Sequence, residues 1–416
     1  MSVKASVGVA WDTKEGNEED MAVPNMAERM KFLEPSIGTT VPTCLKEGKP
    51  LRETFVATAA NERYFDVDTC QRVLGSILKQ LSEKLDNVRD LAGGILCDLL
   101  TNEEVRLPFV QDRGFLVAAL SSKDDTVNWA SPTTTFAMMV KAMNIDAYHG
   151  PIVEGLCVSV GGLTESVVKS SSGALLDWVR TMKKLKGSKH MMRLGRTLLG
   201  LLEREKKNER IVVPVLRTIH LLYRNDAVGG GEENAGEWKE GEEKSDQMIN
   251  DFDSRLLKLV LAESHGSKSF KKLTAIVDVL IDFLGHGMRV EGREMAGTPG
   301  MSLKFLMILL AHPFPKIRKF VAEQLYVVVL ENEEVVAEDG RVDEVGELLL
   351  ETAWDGELEE DVGKGVREVR NDLCALLGVQ LSDKARSAKV KKGGVKGGKE
   401  VDEHESYQSL VSTAGR

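Results

Sequence analysis

The sequence predicts an all-α fold, a solenoid of HEAT/armadillo-type helical repeats. Two observations predict it. Apolar residues recur near i, i+3, i+4 and i+7 or i+8 in segment after segment, the stripe that an amphipathic helix buries. Several of these segments also open alike. Val88-Arg89, Ile317-Arg318, Val369-Arg370 and, more loosely, Val168-Lys169 each place a β-branched residue, then a base, then a helical apolar pattern. Val88 and Val168 lie 80 residues apart, two periods of about 40; Ile317 and Val369 lie 52 apart, one period with an insertion. Helical units of about 40–47 residues mark HEAT and armadillo arrays. Composition agrees. The 416 residues are 42% hydrophobic, 29% charged and only 5% aromatic, with Leu and Val dominating the apolar set, which suits helices better than a β-sandwich.

In chain order, residues 1–65 carry Pro24, Pro35, Pro42 and Pro50 among many charges and read as a low-order segment with one short helix near 25–33. The helical-repeat region runs over 66–381. It opens with a hairpin: Val73, Ile77, Leu78, Leu81 and Leu85 share one helix face, and Val88, Leu91, Ala92, Ile95, Leu96 and Leu99 share the next, with Asp86 as N-cap between them. Pro151–Val160 and Leu163–Val179 read as helices flanking a Gly-Gly break, the second capped by Thr164. A helix follows from Arg210 to Tyr223. Residues 226–246, rich in Gly and Glu, read as an exposed acidic loop. Asp251–Leu261 and Lys271–Leu284 are amphipathic. Residues 301–312 are apolar on almost every side and read as a buried helix. The prolines of His312-Pro313-Phe314-Pro315 stop it and restart a second helix carrying Ile317, Phe320, Val321, Leu325 and Val328, an antiparallel hairpin. A last helix carries Val369, Leu373, Leu376 and Leu377. Residues 382–416 read as a disordered basic, Gly-rich tail.

Residues fitted for chemistry are sparse, and the reading is of a protein that is not an enzyme. No phosphate-binding G-x-x-x-x-G-K-[ST] loop occurs, and the glycines at 229–231 sit among acids hostile to phosphate. Gly161-Gly162 with Thr164 reads as a tight turn rather than a phosphate cradle. The seven histidines form no H-x-x-x-H pair, and His286 reads as a turn residue. Nucleophile elbows of the G-x-S-x-G type are absent. Glu331, Glu333, Glu334 and the run 357–361 read as solvated loop charges. No catalytic, cofactor-binding or metal-ligating residue is assigned. The five cysteines are scattered and read as free thiols of a reducing cytosol. No apolar run approaches the roughly 18 residues of a membrane span.

Charge gives the partner expectations. A net charge of −10 argues against general nucleic-acid binding. The tail bases Lys384, Arg386, Lys389, Lys391, Lys392, Lys396 and Lys399 supply only nonspecific, salt-screened attraction. Arg89, Arg318 and Arg370 admit two readings. Each faces an acidic partner, or each bridges to a carboxylate in the neighbouring repeat; the second is preferred. Lys316, Arg318, Lys319, Arg367 and Arg370 are the candidates for partner contact. Trp129 and Trp354, at loop–helix junctions, read as packing anchors.

Five blocks then carry a resemblance: Val127-Asn128-Trp129, VSVGGLTESVV (158–168), NERIVVPVLRTI (208–219), HPFPKIRKFVAEQLY (312–326) and TAWDGELEEDVGKGVREVRNDLCALLGV (352–379). In this order they resemble the C-terminal portion of the tubulin-folding cofactor D family, over roughly 66–380. The resemblance implies a HEAT/armadillo-type solenoid acting as a chaperone-type scaffold for β-tubulin. It implies work beside cofactors C and E and an Arl2-like small GTPase in αβ-tubulin heterodimer assembly and microtubule cytoskeleton organisation. It further implies activation of GTP hydrolysis by tubulin only together with other cofactors, and a cytoplasmic location with microtubule or centrosome association. Family members are much longer, so the chain reads as a fragment, a partial gene model or a truncated paralogue. The loop 226–246 and the tail are extra to the family pattern. The alternative is a HEAT-repeat interaction adaptor with no tubulin role.

Overall fold

Helices with one apolar stripe must bury it against other helices, and the computed structural model shows where. It describes residues 66–103, 106–120, 127–162, 164–185, 188–227, 244–288, 297–332, 341–356 and 365–381. The expectations for 1–65, for most of the acidic loop, for Glu333, Glu334 and 357–361, and for the tail 382–416 lie outside the described residues. Within them the chain forms fourteen helices and no strand: α1 Val67–Gln80, α2 Asp86–Thr101, α3 Arg113–Leu120, α4 Pro132–Ala142, α5 Asp146–Val160, α6 Glu165–Lys184, α7 Ser188–Arg204, α8 Glu209–Arg224, α9 Lys244–Ser264, α10 Phe270–Met288, α11 Gly297–Leu309, α12 Pro315–Glu331, α13 Val342–Glu351 and α14 Val366–Leu376. This is the all-α, helical-repeat fold the periodicity predicts.

Chain contacts divide the protein into two units at Ser302/Leu303, within α11. In the first, α1, α5, α8 and α10 pack side by side in a row. The shorter or more amphipathic helices flank it: α4 and α6 pack on α5, α7 packs on α5 and α8, and α9 packs on α7 and α10. Helix α5 packs against α1, α4, α6, α7 and α8 and is accordingly buried on nearly every face, through Tyr148, His149, Ile152, Val153, Leu156, Cys157 and Val160. The α1–α5 contact is close because small residues meet there. A Cβ on Gly75 would lie 2.9 Å from the Pro151 ring, and one on Gly155 would lie 2.4 Å from the Ser82 hydroxyl. In the second unit α12 packs on α13, and α13 on α14, around Ile317, Val321, Leu325, Val329, Val345, Leu349 and Leu373.

Several boundaries differ from the sequence reading. Asp66 caps α1, its carboxylate accepting from the Thr69 amide at 2.7 Å. Asp86, expected to cap α2, is instead its first helical residue, because Arg89 takes its carboxylate. Thr164 does occupy the N-cap of α6, but its hydroxyl accepts no amide there. Helix α5 begins at Asp146 and runs through Pro151 rather than starting at it. Helix α9 begins at Lys244, inside the range read as loop. His286 lies in the last turns of α10 against Tyr223, not in a turn. Helices α3, α4, α7 and α13 were not delineated in sequence.

Candidate interaction site

The arginines that open the helices are interior groups. Arg89 is 0% exposed, Arg318 2% and Arg370 1%. A buried guanidinium needs oxygen around it, and backbone carbonyls supply it. Arg318 donates to the His312 carbonyl of the turn before its own helix at 2.9 Å. It reaches across to the carbonyls of Trp354, at 2.7 Å, and Gly356, at 2.6 Å. Arg89 repeats the arrangement. It donates to the Glu83 carbonyl in the turn before α2 at 2.7 Å and to the Ala130 carbonyl beside Trp129. In both places one arginine fastens two loops, and the far loop carries a buried tryptophan. The Trp129 carbonyl is held again by the Thr135 hydroxyl at 2.7 Å, and the Trp354 indole donates to the Leu349 carbonyl at 2.8 Å. Arg89 and Trp129 lie 40 residues apart, Arg318 and Trp354 36 apart, so each clamp spans about one repeat length.

This settles where the five expected contact residues lie. Arg318 and Arg370 lie in the interior, not on the surface of α12 and α14. Lys316 and Lys319 are exposed and Arg367 half-buried, so the surface they offer is the start of α12 and of α14. Arg89 and Arg318 do reach a neighbouring loop, and the groups they meet there include its backbone carbonyls. Lys169 departs from the pattern and stands exposed. Trp129 and Trp354 are packed anchors.

Buried titratable groups are structural in their geometry. His149, 1% exposed, donates from Nδ1 to the Met143 carbonyl at 3.0 Å and lies against Trp178. Burial, with Arg193 and His190 nearby, pushes its pKa down to about 4, against the opposing pull of Asp146. The sign follows from a depressed histidine pKa. Its contribution to stability is whole above about pH 6.5 and is lost as pH falls toward 4. The expected loss by pH 5 is about 2 kcal/mol. Thermal melts at pH 7 and pH 5 should show this drop, and His149→Gln should flatten it. An equal drop in both proteins would place the acid sensitivity elsewhere. His220 donates to Asp282 at 2.8 Å across α8 and α10, and burial raises the Asp282 pKa. Among the described residues no group of three or more His, Cys, Asp or Glu side chains is placed to hold a metal, and no helix is long and apolar enough to cross a membrane.

A groove of about 710 Å³ lies in the first unit, walled by α1, α5 and α7. Its lining includes Arg72, Lys79, Gln80, Gly150, Glu154, Gly200 and Arg204. Glu154 holds Lys79 at 2.5 Å and Arg204 at 2.9 Å, and Arg204 also pairs with Glu205 at 3.1 Å. Sequence reading missed this site. Its one legible sign is Gln80, a polar residue on the buried face of α1. The lysine lies 75 residues before the glutamate and the arginine 50 after it, so they meet only in the fold.

A family model described as the tubulin folding cofactor D C terminal matches residues 71–272, the span from α1 to the start of α10.

Proposed function

From the membership of residues 71–272 in the tubulin folding cofactor D family, as part of its C-terminal portion, we propose that the protein is a tubulin-folding cofactor, a scaffold that binds β-tubulin during assembly of the αβ heterodimer. The family match carries this reading. The helical-repeat architecture supports it, since an array of stacked helices offers the broad surface that holding a folded client requires. The protein acts by binding, beside cofactors C and E and an Arl2-like small GTPase, and is not itself an enzyme. It raises GTP hydrolysis by tubulin only with the other cofactors present. Its place is the cytoplasm, at sites of microtubule organisation. The exposed bases Lys316 and Lys319 are its candidate client contacts outside the matched span.

The test is co-elution. Purified chain mixed with β-tubulin is expected to run as a 1:1 complex at about 150 mM salt, where exposed charge pairs are largely screened. With GTP, the chain alone is expected to show no turnover. GTP hydrolysis by the chain alone would overturn the scaffold reading. A folded chain that ignores tubulin yet captures other proteins would favour the adaptor reading.

A further inference from the structure

We propose that the contact between α8 and α10 is a proton-operated joint: protonated His220 is the cation that offsets two aspartates of α10, and the joint loosens when His220 loses its proton. The device is a cluster of charges inside a helix–helix contact. His220 on α8 donates from Nδ1 to Oδ2 of Asp282 on α10 at 2.8 Å. Asp278, one turn earlier on α10, shares that helix face, and its charge also acts on His220. The Asp282 side chain is 3% exposed and that of His220 35%. Around the two acids α10 is apolar: Val277, Val279, Leu280 and Phe283 are buried. Carboxylates in such a setting are poorly solvated and repel each other, so a cation beside them stabilises the contact. Arg217 and Arg224 act on the aspartates through space. Arg217 donates instead to the Gly161 carbonyl at 3.0 Å, and Arg224 stands exposed.

Charges on the other helices packed around α8 are engaged elsewhere. On α5, Asp146 holds Arg193 and Glu154 holds Lys79 and Arg204; on α7, Glu203 holds Arg255. Next to the joint, Tyr223 of α8 donates to Asp253 of α9 and lies edge-on to His286 of α10, with 5.9 Å between ring centroids. The charges acting on His220 are Asp278 and Asp282 from α10 and Arg224 from its own helix. Burial pulls the His220 pKa down. The hydrogen bond and charge of Asp282, with the charge of Asp278, outweigh burial and the repulsion of Arg224, so the pKa is raised above its ordinary 6.5. Burial raises both aspartates, against the pull of the His220 charge. A raised histidine pKa gives stability that is whole below pH 6.5 and is lost as pH rises through the folded-state value. A histidine so placed changes charge in the neutral to alkaline range. His149 has the opposite sign and fails in acid, so one pH series separates the two.

The test uses the full chain with isotope-labelled histidine. NMR follows every histidine from about pH 5.5 to about pH 9, and the resonance missing from His220→Gln identifies His220. Its midpoint is expected above 6.5 and is expected to fall in Asp278→Asn, which removes one of the two charges that raise it. Hydrogen exchange, corrected for the intrinsic effect of pH, reads the joint itself. Protection of α8 and α10 is expected to drop several-fold between about pH 6 and about pH 8.5, while that of α1 and α2 holds. His220→Gln has no proton to lose, so its α8 and α10 should be less protected at both pH values and show no such drop. Should His220→Gln fail to fold, Asp278→Asn reads the same joint, because relieving the repulsion should shrink the drop. A His220 midpoint at or below 6.5 would overturn the proposal. So would the full drop persisting in His220→Gln or in folded Asp278→Asn, which would place the alkaline sensitivity outside this contact.

Discussion

Arg318→Met will destabilise the second unit by about 3 kcal/mol, from the unmade bonds of one buried and two half-buried carbonyls. Methionine fills comparable space, so the loss reports hydrogen bonds rather than a cavity. Three carbonyls, those of His312, Trp354 and Gly356, lose their donor at once. An unpaired buried carbonyl such as that of Trp354 costs about 1–3 kcal/mol, the half-buried carbonyls of His312 and Gly356 cost less because water can reach them, and the three share one side chain, so their sum is not strictly additive. The loop 352–356 should loosen with the turn 312–314. Hydrogen exchange would show this as faster exchange confined to these two loops and the helices they join. Arg318→Lys is expected to recover little, because an ammonium cannot span carbonyls from two loops as a planar guanidinium does. Exchange unchanged in Arg318→Met would mean that apolar packing of α12 against α13 holds the loops without the clamp.

Gly93→Ala is expected to cost about 4 kcal/mol, at or above the usual range for an overpacked core, because the obstacle cannot yield. The added Cβ would lie 2.1 Å from Cγ of Trp129 and 2.3 Å from its Cδ2. Trp129 is 5% exposed, and its neighbouring backbone is tied down by Thr135 and Arg89. The ring cannot retreat without loosening the clamp. Chemical denaturation of Gly93→Ala, Trp129→Leu and the double variant forms a cycle that isolates the clash. In the Trp129→Leu background, Gly93→Ala should cost far less than in the natural protein. Equal cost in both backgrounds would mean that the ring is not the obstacle.

These two sites show what sequence could and could not reveal. The hairpin α1–α2 was legible because its apolar residues hold one helix face on each side of a turn carrying Asp, and the break between α11 and α12 because paired prolines stop one helix and start the next. The opening of α2, α12 and α14 by a β-branched residue and arginine was legible as well, and in α2 and α12 it marks the arginine that fastens two loops. What the arginines bind was not. A backbone carbonyl has no sequence signature, so a carboxylate partner was expected where loops were found. The same gap explains Asp86, whose capping preference yields to the guanidinium three residues on. Pro151 looked like a helix start, because proline fits a first turn. Here it lies within α5, its ring against Gly75. Helix α7 carries a clear buried stripe, Leu194, Leu198, Leu199, Leu201 and Leu202, that the reading passed over, whereas α3 has only eight residues, too few for periodicity to show. The groove was invisible for a plainer reason: its charged residues come from three helices far apart in the chain.

The central claim is that this helical array recognises tubulin through its folded surface. Its most direct test is the equilibrium affinity of the full chain for β-tubulin, for the αβ heterodimer and for an unrelated acidic protein, measured side by side at about 150 mM salt. The account predicts saturable 1:1 binding to β-tubulin, persisting at that salt and absent for the unrelated protein. Folded, helical chain that binds all three alike, or none, would contradict it.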